Sequence, residues 1–421
     1  MKQRLGRGLV ALVAVLLSGV PALAAGFSFF EQGAKASGQA GAWIARADDA
    51  SANWYNPAAL VRLSGGEVEF GLNYLEIGSQ TNFTINDPAA QGISGLLGVT
   101  VTAGQKFDAT SNVATPAHFY YGQKINPKWA FGVGINNPFG LKSEWTQIPM
   151  TLSSRKADLV TYEVNPNIAY AFNDSWSIGL GVDYLAAELH TFSHDAFVAT
   201  PAPTTLLTNL TGEGDAWGYN FAFQYKSPCF AVGASYRSEL NPEIRGRIRI
   251  DSPTGAQVID AKSKVDLPSE VYTGVAWISD RADVEFAATY MKWNDFKELS
   301  IETPVAPPSK IAENWDSVWA YRIGGAFRFD KNMVHEVRIG YVRDDSPIPT
   351  DFLRPSIPDS DRTGYTLGYG YKGKKWAIDA YAMDLKFDDV VATGDFVTDG
   401  VIKGKYASSI WLAGVTGTIR F

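Results

Sequence analysis

From about Gly66 to the final Phe421 the chain alternates apolar and polar residues with a period of two, the signature of extended strands with two different faces. The clearest run sets Trp319, Tyr321, Ile323, Gly325, Phe327 and Phe329 on one face and Ala320, Arg322, Gly324, Ala326 and Arg328 on the other. A soluble sandwich would bury the aromatic face, whereas an outer-membrane barrel would turn it to lipid and line its lumen with the polar face. Alternation alone allows both. Connection lengths separate them. Short turns are predicted at Ile125-Asn126-Pro127-Lys128, Asn173-Asp174-Ser175, Lys226-Ser227-Pro228, Ser279-Asp280-Arg281, Asp330-Lys331-Asn332 and Lys372-Gly373-Lys374. Long loops are predicted near 80–113, 141–157, 191–213, 246–264, 297–314, 345–361 and 387–402. Short turns on one rim and long loops on the other are the asymmetry of bacterial transmembrane barrels, and together they join 14 antiparallel strands. The last strand, Trp411 to Phe421, alternates in the same way and stops on an outward aromatic, where an interfacial girdle belongs.

The segment before Gly66 reads differently. Lys2, Arg4 and Arg7, the apolar run Leu9 to Leu17 and Ala22-Leu23-Ala24 make residues 1–24 a signal peptide. Its apolar run is too short for a membrane helix, which needs roughly 20 residues. Residues 25–65 show no sustained alternation; Gly33, Gly38 and Gly41 lie among small residues that allow tight packing inside a tube. A periplasmic tail is the alternative, but Phe27, Phe29, Phe30, Trp43, Trp54 and Tyr55 are more aromatics than a solvated segment carries. The expected organisation is therefore a plug at 25–65 inside a barrel at 66–421, because a lumen this wide would leak if left open.

Composition narrows the chemistry. A formal net charge of −7 lacks the basic face that nucleic acid requires, and the lone Cys229 cannot form an internal disulfide. His190 and His194 stand four apart at a strand-to-loop junction, without the helix and glutamate of a zinc-protease motif. Gly368, Gly370 and Gly373 match G-x-G-x-x-G but lead into a turn rather than a helix. No G-x-S-x-G occurs. An enzyme is not expected, nor a cofactor or a metal. A polar-solute porin would want an open, charged constriction in place of an aromatic-rich plug.

Short motifs along the chain carry a resemblance: Asp48-Asp49-Ala50 with Asn56-Pro57-Ala58, then Asn137-Pro138-Phe139-Gly140-Leu141, Ser235-Tyr236-Arg237-Ser238-Glu239 and Leu267-Pro268-Ser269-Glu270. Asp344-Asp345-Ser346-Pro347 and Ile357-Pro358-Asp359-Ser360-Asp361-Arg362 complete the series. In this order they resemble the FadL family of outer-membrane transporters of long-chain fatty acids and other hydrophobic compounds. The resemblance implies a 14-stranded barrel closed by an N-terminal hatch. It implies capture of substrate in external loops, an apolar pocket in the lumen, and exit sideways through a kink in strand 3. Mapped by collinearity, the kink is Asn137, Pro138, Phe139 and Gly140, the hatch element beside it is Asn56, Pro57 and Ala58, and Phe27 reaches toward the pocket. Family members that carry fatty acids have basic pocket residues; the collinear positions here are Glu188 and Val318, with His190 or Arg322 as substitutes if the alignment slips. That departure matches a carboxylate less well, so neutral or aromatic hydrocarbons gain ground as the alternative to long-chain fatty acids, the first expected substrate.

The residues themselves agree with a break in the wall. Pro138 cannot donate a ladder hydrogen bond and Gly140 tolerates a bulge; a strand that simply ends at the rim is the competing reading. Ile93, Leu96, Leu97 and Val99 make an apolar, glycine-punctuated external loop, either a capture surface or a loop packed on itself. Arg237, Arg322 and Arg362 are expected to form lumenal ion pairs with partners such as Asp344 or Asp345. The expected protein is a monomer in a Gram-negative outer membrane. Its partners are a hydrophobic small molecule, membrane lipids and the machinery that assembles barrels.

Overall fold

The computed structural model describes residues 26–77, 80–199 and 202–421. The expected signal peptide lies outside the described residues. Alternating side chains point to opposite faces of a strand, and here fourteen antiparallel strands close on themselves. The wall begins with β1 (Gly66–Ile77), β2 (Asn112–Ala114 and Ala117–Lys124), β3 (Trp129–Asn136 and Gly140–Glu144) and β4 (Lys156–Ala171). Next come β5 (Trp176–Val198), β6 (Thr204–Lys226), β7 (Phe230–Arg237), β8 (Ser269–Ile278) and β9 (Ala282–Lys292). It ends with β10 (Val318–Arg328), β11 (His335–Asp344), β12 (Arg362–Lys372), β13 (Trp376–Phe387) and β14 (Ser409–Arg420). β14 pairs with β1 from Arg420 opposite Glu67 to Trp411 opposite Glu76, so the wall has no free edge.

The two faces follow the sequence pattern. Trp319, Tyr321, Ile323, Phe327 and Phe329 are 43–50% exposed on the outside, while Ala320, Arg322 and Ala326 are buried within. The short turns join consecutive strands at one rim. At the other rim three of the expected loops are instead strand. β5 and β6 each run for 23 residues, through most of 191–213, and therefore carry both His190 and His194 in a strand rather than at its end. Residues 246–264 and 297–314 fall largely in two external hairpins, Glu243–Ser252 with Gly255–Lys264 and Glu298–Thr303 with Ala306–Ala312. Their alternation is inverted: Arg245, Arg247 and Arg249 are exposed, while Ile244 and Ile248 face a cavity. Beyond the bilayer the outer face meets water, so apolar-outward ceases to mark a wall strand.

The apolar segment expected as a loop is a helix, Pro88–Leu96. Asp87 caps it by accepting from the Ala89 and Ala90 amides at 2.9 and 3.0 Å, and Pro88 occupies the first turn, where no amide is needed. Gly92 and Gly95 hide it from a propensity reading. It sits over a small external sheet of Asn82–Ile85, Lys106–Asp108, Val390–Ala392 and Gly404–Ala407, whose core holds Phe83, Ile85, Trp145 and Tyr406.

Residues 26–63 are almost wholly buried within the barrel. They contain short helices, Ala34–Ser37 and Ala52–Tyr55, and a 3-10 turn, Pro57–Arg62. Polar wall residues satisfy their backbone: Glu285 Oε1 accepts from the Ile44 and Ala45 amides at 2.6 and 2.9 Å, and Glu67 accepts from Ala50 at 2.8 Å. Glycine lets the wall approach closely. A Cβ at Gly324 or Gly340 would lie 2.3 or 2.4 Å from the Gln39 backbone.

Arg237 ties this segment to the wall. Its guanidinium lies 3.9 Å from the Trp54 ring centroid and reaches Glu163 at 2.9 Å and Asp183 at 3.1 Å. All three ionic groups are buried. Arg237→Ala would strand two carboxylates without their cation, and breaking such a set costs about 3–5 kcal/mol. The expected readout is a lower urea midpoint for the folded barrel in detergent.

Candidate functional site

The ladder between β2 and β3 runs from Lys124 opposite Ala130 to Phe119 opposite Ile135 and then stops. Towards the external rim β3 next meets the residues leading into β2, where Thr110 N donates to Glu144 O at 2.8 Å. Between these points Ala117 N is bonded to the Asn137 side chain at 3.3 Å rather than to a backbone carbonyl. β3 keeps its other neighbour: Asn136 stands opposite Glu163, and Gly140 opposite Val160. Asn137, Pro138 and Phe139 thus face only Thr161 and Tyr162, which makes a bulge. Thr161 holds it, its hydroxyl accepting from Phe139 N at 3.0 Å and its carbonyl from Asn137 Nδ2 at 2.7 Å.

The start of the plug fills the break from within. Phe29 N donates to Pro138 O and Gly140 N donates to Phe27 O, each at 2.8 Å, which sets Ser28 opposite Phe139 as an antiparallel bridge. Gln32 Nε2 donates to Asn137 O at 2.8 Å. Gly26 N is anchored on Asp359 Oδ2 at 3.0 Å. The gap in the wall is therefore closed by backbone pairing with residues 27–29, not by another wall strand.

Above it lies an apolar cavity of about 610 Å³, lined among others by Leu141, Leu159, Leu189, Phe192, Ile244 and Ile357. That volume is in the range of pockets that enclose small organic ligands. Phe27 belongs to its lining, and its ring sits in an aromatic cage with Trp293 at 4.9 Å, Trp315 at 5.5 Å, Phe296 at 6.3 Å and Phe139 at 6.4 Å between centroids. One side chain touches both the cavity and the gap.

The sequence-predicted residues divide. Asn137, Pro138, Phe139, Gly140 and Phe27 come together. Asn56, Pro57 and Ala58 do not join them: Asn56 Nδ2 donates to Ile44 O at 2.8 Å and to Phe223 O on β6 at 3.1 Å, and Pro57 and Ala58 pack on Gly179 of β5. This element seats the plug against a different part of the wall, because only the small Gly179 lets its backbone approach. Glu188 is on the outer surface, its carboxylate 3.4 Å from His190, and Leu189 lines the cavity instead. Glu188 shares the outward parity of Val182, while Asp183, Leu185 and Ala187 alternate inward with Leu189; a bulge at His190, where Leu189 and Thr191 meet the adjacent Leu159 and Asp158 on β4, comes only beyond it. Val318 is buried inward, in the apolar cluster around Phe27 and Trp315. Leu96 is 61% exposed on the external helix, and Leu97 is half-buried; neither lines the cavity, but their helix packs beside Phe396–Asp399, which does.

The arginines are also placed. Arg362 pairs with Asp344, Arg237 with Glu163 and Asp183, and Arg322 bonds Thr289 Oγ1 at 2.8 Å and covers the Phe30 ring. Arg354 and Glu313, which the sequence pattern did not single out, form a pair in the cavity wall at 3.1 Å. Each lies in an irregular external connection, where no periodicity marks direction.

Comparison with known proteins fits this architecture. The family described as outer membrane protein transport protein (OMPP1/FadL/TodX) matches residues 14–421. The chain is 25% identical to the long-chain fatty acid transport protein of Escherichia coli O6:H1, over 85% of this chain and 86% of that protein. Its fold is similar to that of a Pseudomonas aeruginosa FadL homologue, with a TM-score of 0.82 at 19% identity over 94% of this chain and 100% of that one. It is also similar to the P. putida toluene transporter TodX, with a TM-score of 0.71 at 15% identity over 93% and 99% of the two chains. The closed barrel and the match over nearly the whole sequence agree: the chain belongs to the OMPP1/FadL/TodX family of outer-membrane transport proteins and is a protein of the outer membrane.

Proposed function

We propose that the protein carries hydrophobic molecules, long-chain fatty acids foremost, passively across the outer membrane. Substrate is captured on the external apolar surface around Leu96 and Leu97, held in the cavity above Phe27, and released sideways between β2 and β3. The carrying observation is that Phe27 lines the cavity while its carbonyl closes the break at Gly140. Burial supplies the driving force, roughly 0.8 kcal/mol per methylene, so a 16-carbon chain gains ~10 kcal/mol before ordering costs. Release into water would forfeit that gain; release into the bilayer keeps it. Displacing Phe27 both weakens the cavity floor and frees the gap.

Neutral and aromatic hydrocarbons are the second reading. It is favoured by Val318 in an apolar cluster, Glu188 outside the cavity, and Arg354 already paired with Glu313. Either substrate class needs the same exit. Gly140→Leu is expected to abolish uptake of labelled fatty acid by cells lacking other transporters, while purified protein still binds ligand. Normal uptake by that variant would send substrate down the lumen and defeat the lateral route.

A further inference from the structure

The cavity wall contains a buried charged pair built like a head-group site that is already filled. Arg354 lies in the connection between β11 and β12 with its side chain 9% exposed. Its Nε donates to Asp399 O at 2.8 Å, one terminal nitrogen donates to Ala312 O at 2.7 Å, and the other to Glu313 Oε1 at 3.1 Å. The nitrogen that reaches Glu313 also donates to Phe352 O at 3.4 Å, so three carbonyls fix the guanidinium and a carboxylate occupies its remaining side. The second oxygen of Glu313 accepts from Trp315 Nε1 at 3.1 Å. Trp315 in turn packs on Phe27. Arginine with two donors fixed and a third aimed at a carboxylate is the geometry that binds an acid group.

We propose that Arg354 is the head-group anchor of this cavity and that Glu313 competes with ligand for it. With the pair closed the cavity takes uncharged hydrophobic molecules; a long-chain carboxylate binds once Glu313 gives Arg354 up. The inference rests on the cavity being the substrate site.

The competition has a built-in pH dependence. Burial pushes the Glu313 carboxyl up to about 7, against the pull of Arg354 and of the Trp315 hydrogen bond. The other charged groups facing this corner are engaged elsewhere. Lys310 of the external hairpin is tied to Glu298 at 2.7 Å, and the Asp399 carboxylate accepts from Thr398 Oγ1 at 2.9 Å. Lys297 meets Glu313 through its backbone carbonyl alone, at 2.8 Å from Glu313 N. His194 of β5, across the cavity, bonds Thr208 Oγ1 at 3.0 Å. Above pH 7 Glu313 is ionised and the pair is neutral, so a ligand carboxylate would add a second negative charge to one guanidinium in a desolvated wall. Below pH 7 Glu313 is neutral and Arg354 lacks a counter-ion, while a ligand carboxylate, whose ordinary pKa lies near 4–5, is still ionised. If only the protonated state binds the acid, apparent affinity scales with its population and rises about tenfold from pH 8 to pH 6.

The test uses the full barrel in detergent with two probes, dodecanoate and methyl dodecanoate, titrated at pH 8, 7 and 6. Dodecanoate is expected to tighten about tenfold across that range, and the ester to change less than about twofold. Glu313→Gln should bind dodecanoate at pH 8 as tightly as the native protein does at pH 6, with no slope. Arg354→Met should lose dodecanoate binding at pH 6 and keep the ester. A flat native profile for dodecanoate, or an equal slope for the ester, overturns the anchor. A slope that survives Glu313→Gln places the titration on another group and overturns it too. The native profile needs no variant to fold. Ester binding with a flat acid profile sinks only the anchor, whereas failure of both probes sinks the cavity as substrate site as well.

Discussion

A protein carrying Ser28→Cys, Phe139→Cys and Cys229→Ser is expected to take up no fatty acid when oxidised and to recover uptake when reduced. Ser28 and Phe139 are opposed across the break, flanked by the Phe29–Pro138 and Phe27–Gly140 hydrogen bonds at 2.8 Å. That pattern defines a non-hydrogen-bonded antiparallel pair, with Cα atoms about 4.5 Å apart, within the span that a disulfide bridges. The bond would fix residues 27–29 in the gap at the moment substrate needs it vacated. Removing the exposed native Cys229 excludes other pairings. The reduced form of the same protein controls for the loss of the Phe139 ring, and ligand binding should persist in both states. Full uptake by the oxidised form would mean that substrate passes elsewhere.

Deleting residues 27–58 is expected to convert the closed barrel into a steady, large-conductance pore and to sensitise cells to bulky antibiotics. Fourteen strands enclose more space than side chains alone can fill, and the buried plug occupies it. The wall should still assemble, since its ladders run strand to strand and closure by β14 on β1 begins at Glu67. The groups that the plug now covers, Glu285, Arg237 and Arg338 among them, would face water at little cost. Single-channel current and antibiotic zones measure the outcome. Unchanged permeability in a barrel that retains its heat-dependent mobility shift would show that the segment does not seal the lumen.

The features readable from the residues are contrasts that repeat along the chain. The faces of β10 and β14 were legible because lipid on one side and polar lumen on the other impose opposite chemistries on adjacent residues. Pro138 and Gly140 marked the wall break because their limits are covalent and travel with the residue. Asn56 was legible only locally: its side chain accepts from Ala58 N at 3.1 Å and caps the 3-10 turn, which explains the motif without saying where it docks. Its place was decided by Gly179, in a strand far along the chain. Glu188 failed for a related reason. It has the parity of the exposed Val182, so it faces out, and a displacement of one residue is enough to exchange the two faces of a strand. The inverted external hairpins changed sides of the pattern because the solvent outside them changed from lipid to water. The Arg354–Glu313 pair joins positions 41 residues apart. Pairing of β10 with β11 sets the outer ends of that hairpin side by side, and the folding of the two irregular segments beyond it brings the side chains together, with no periodicity to announce it.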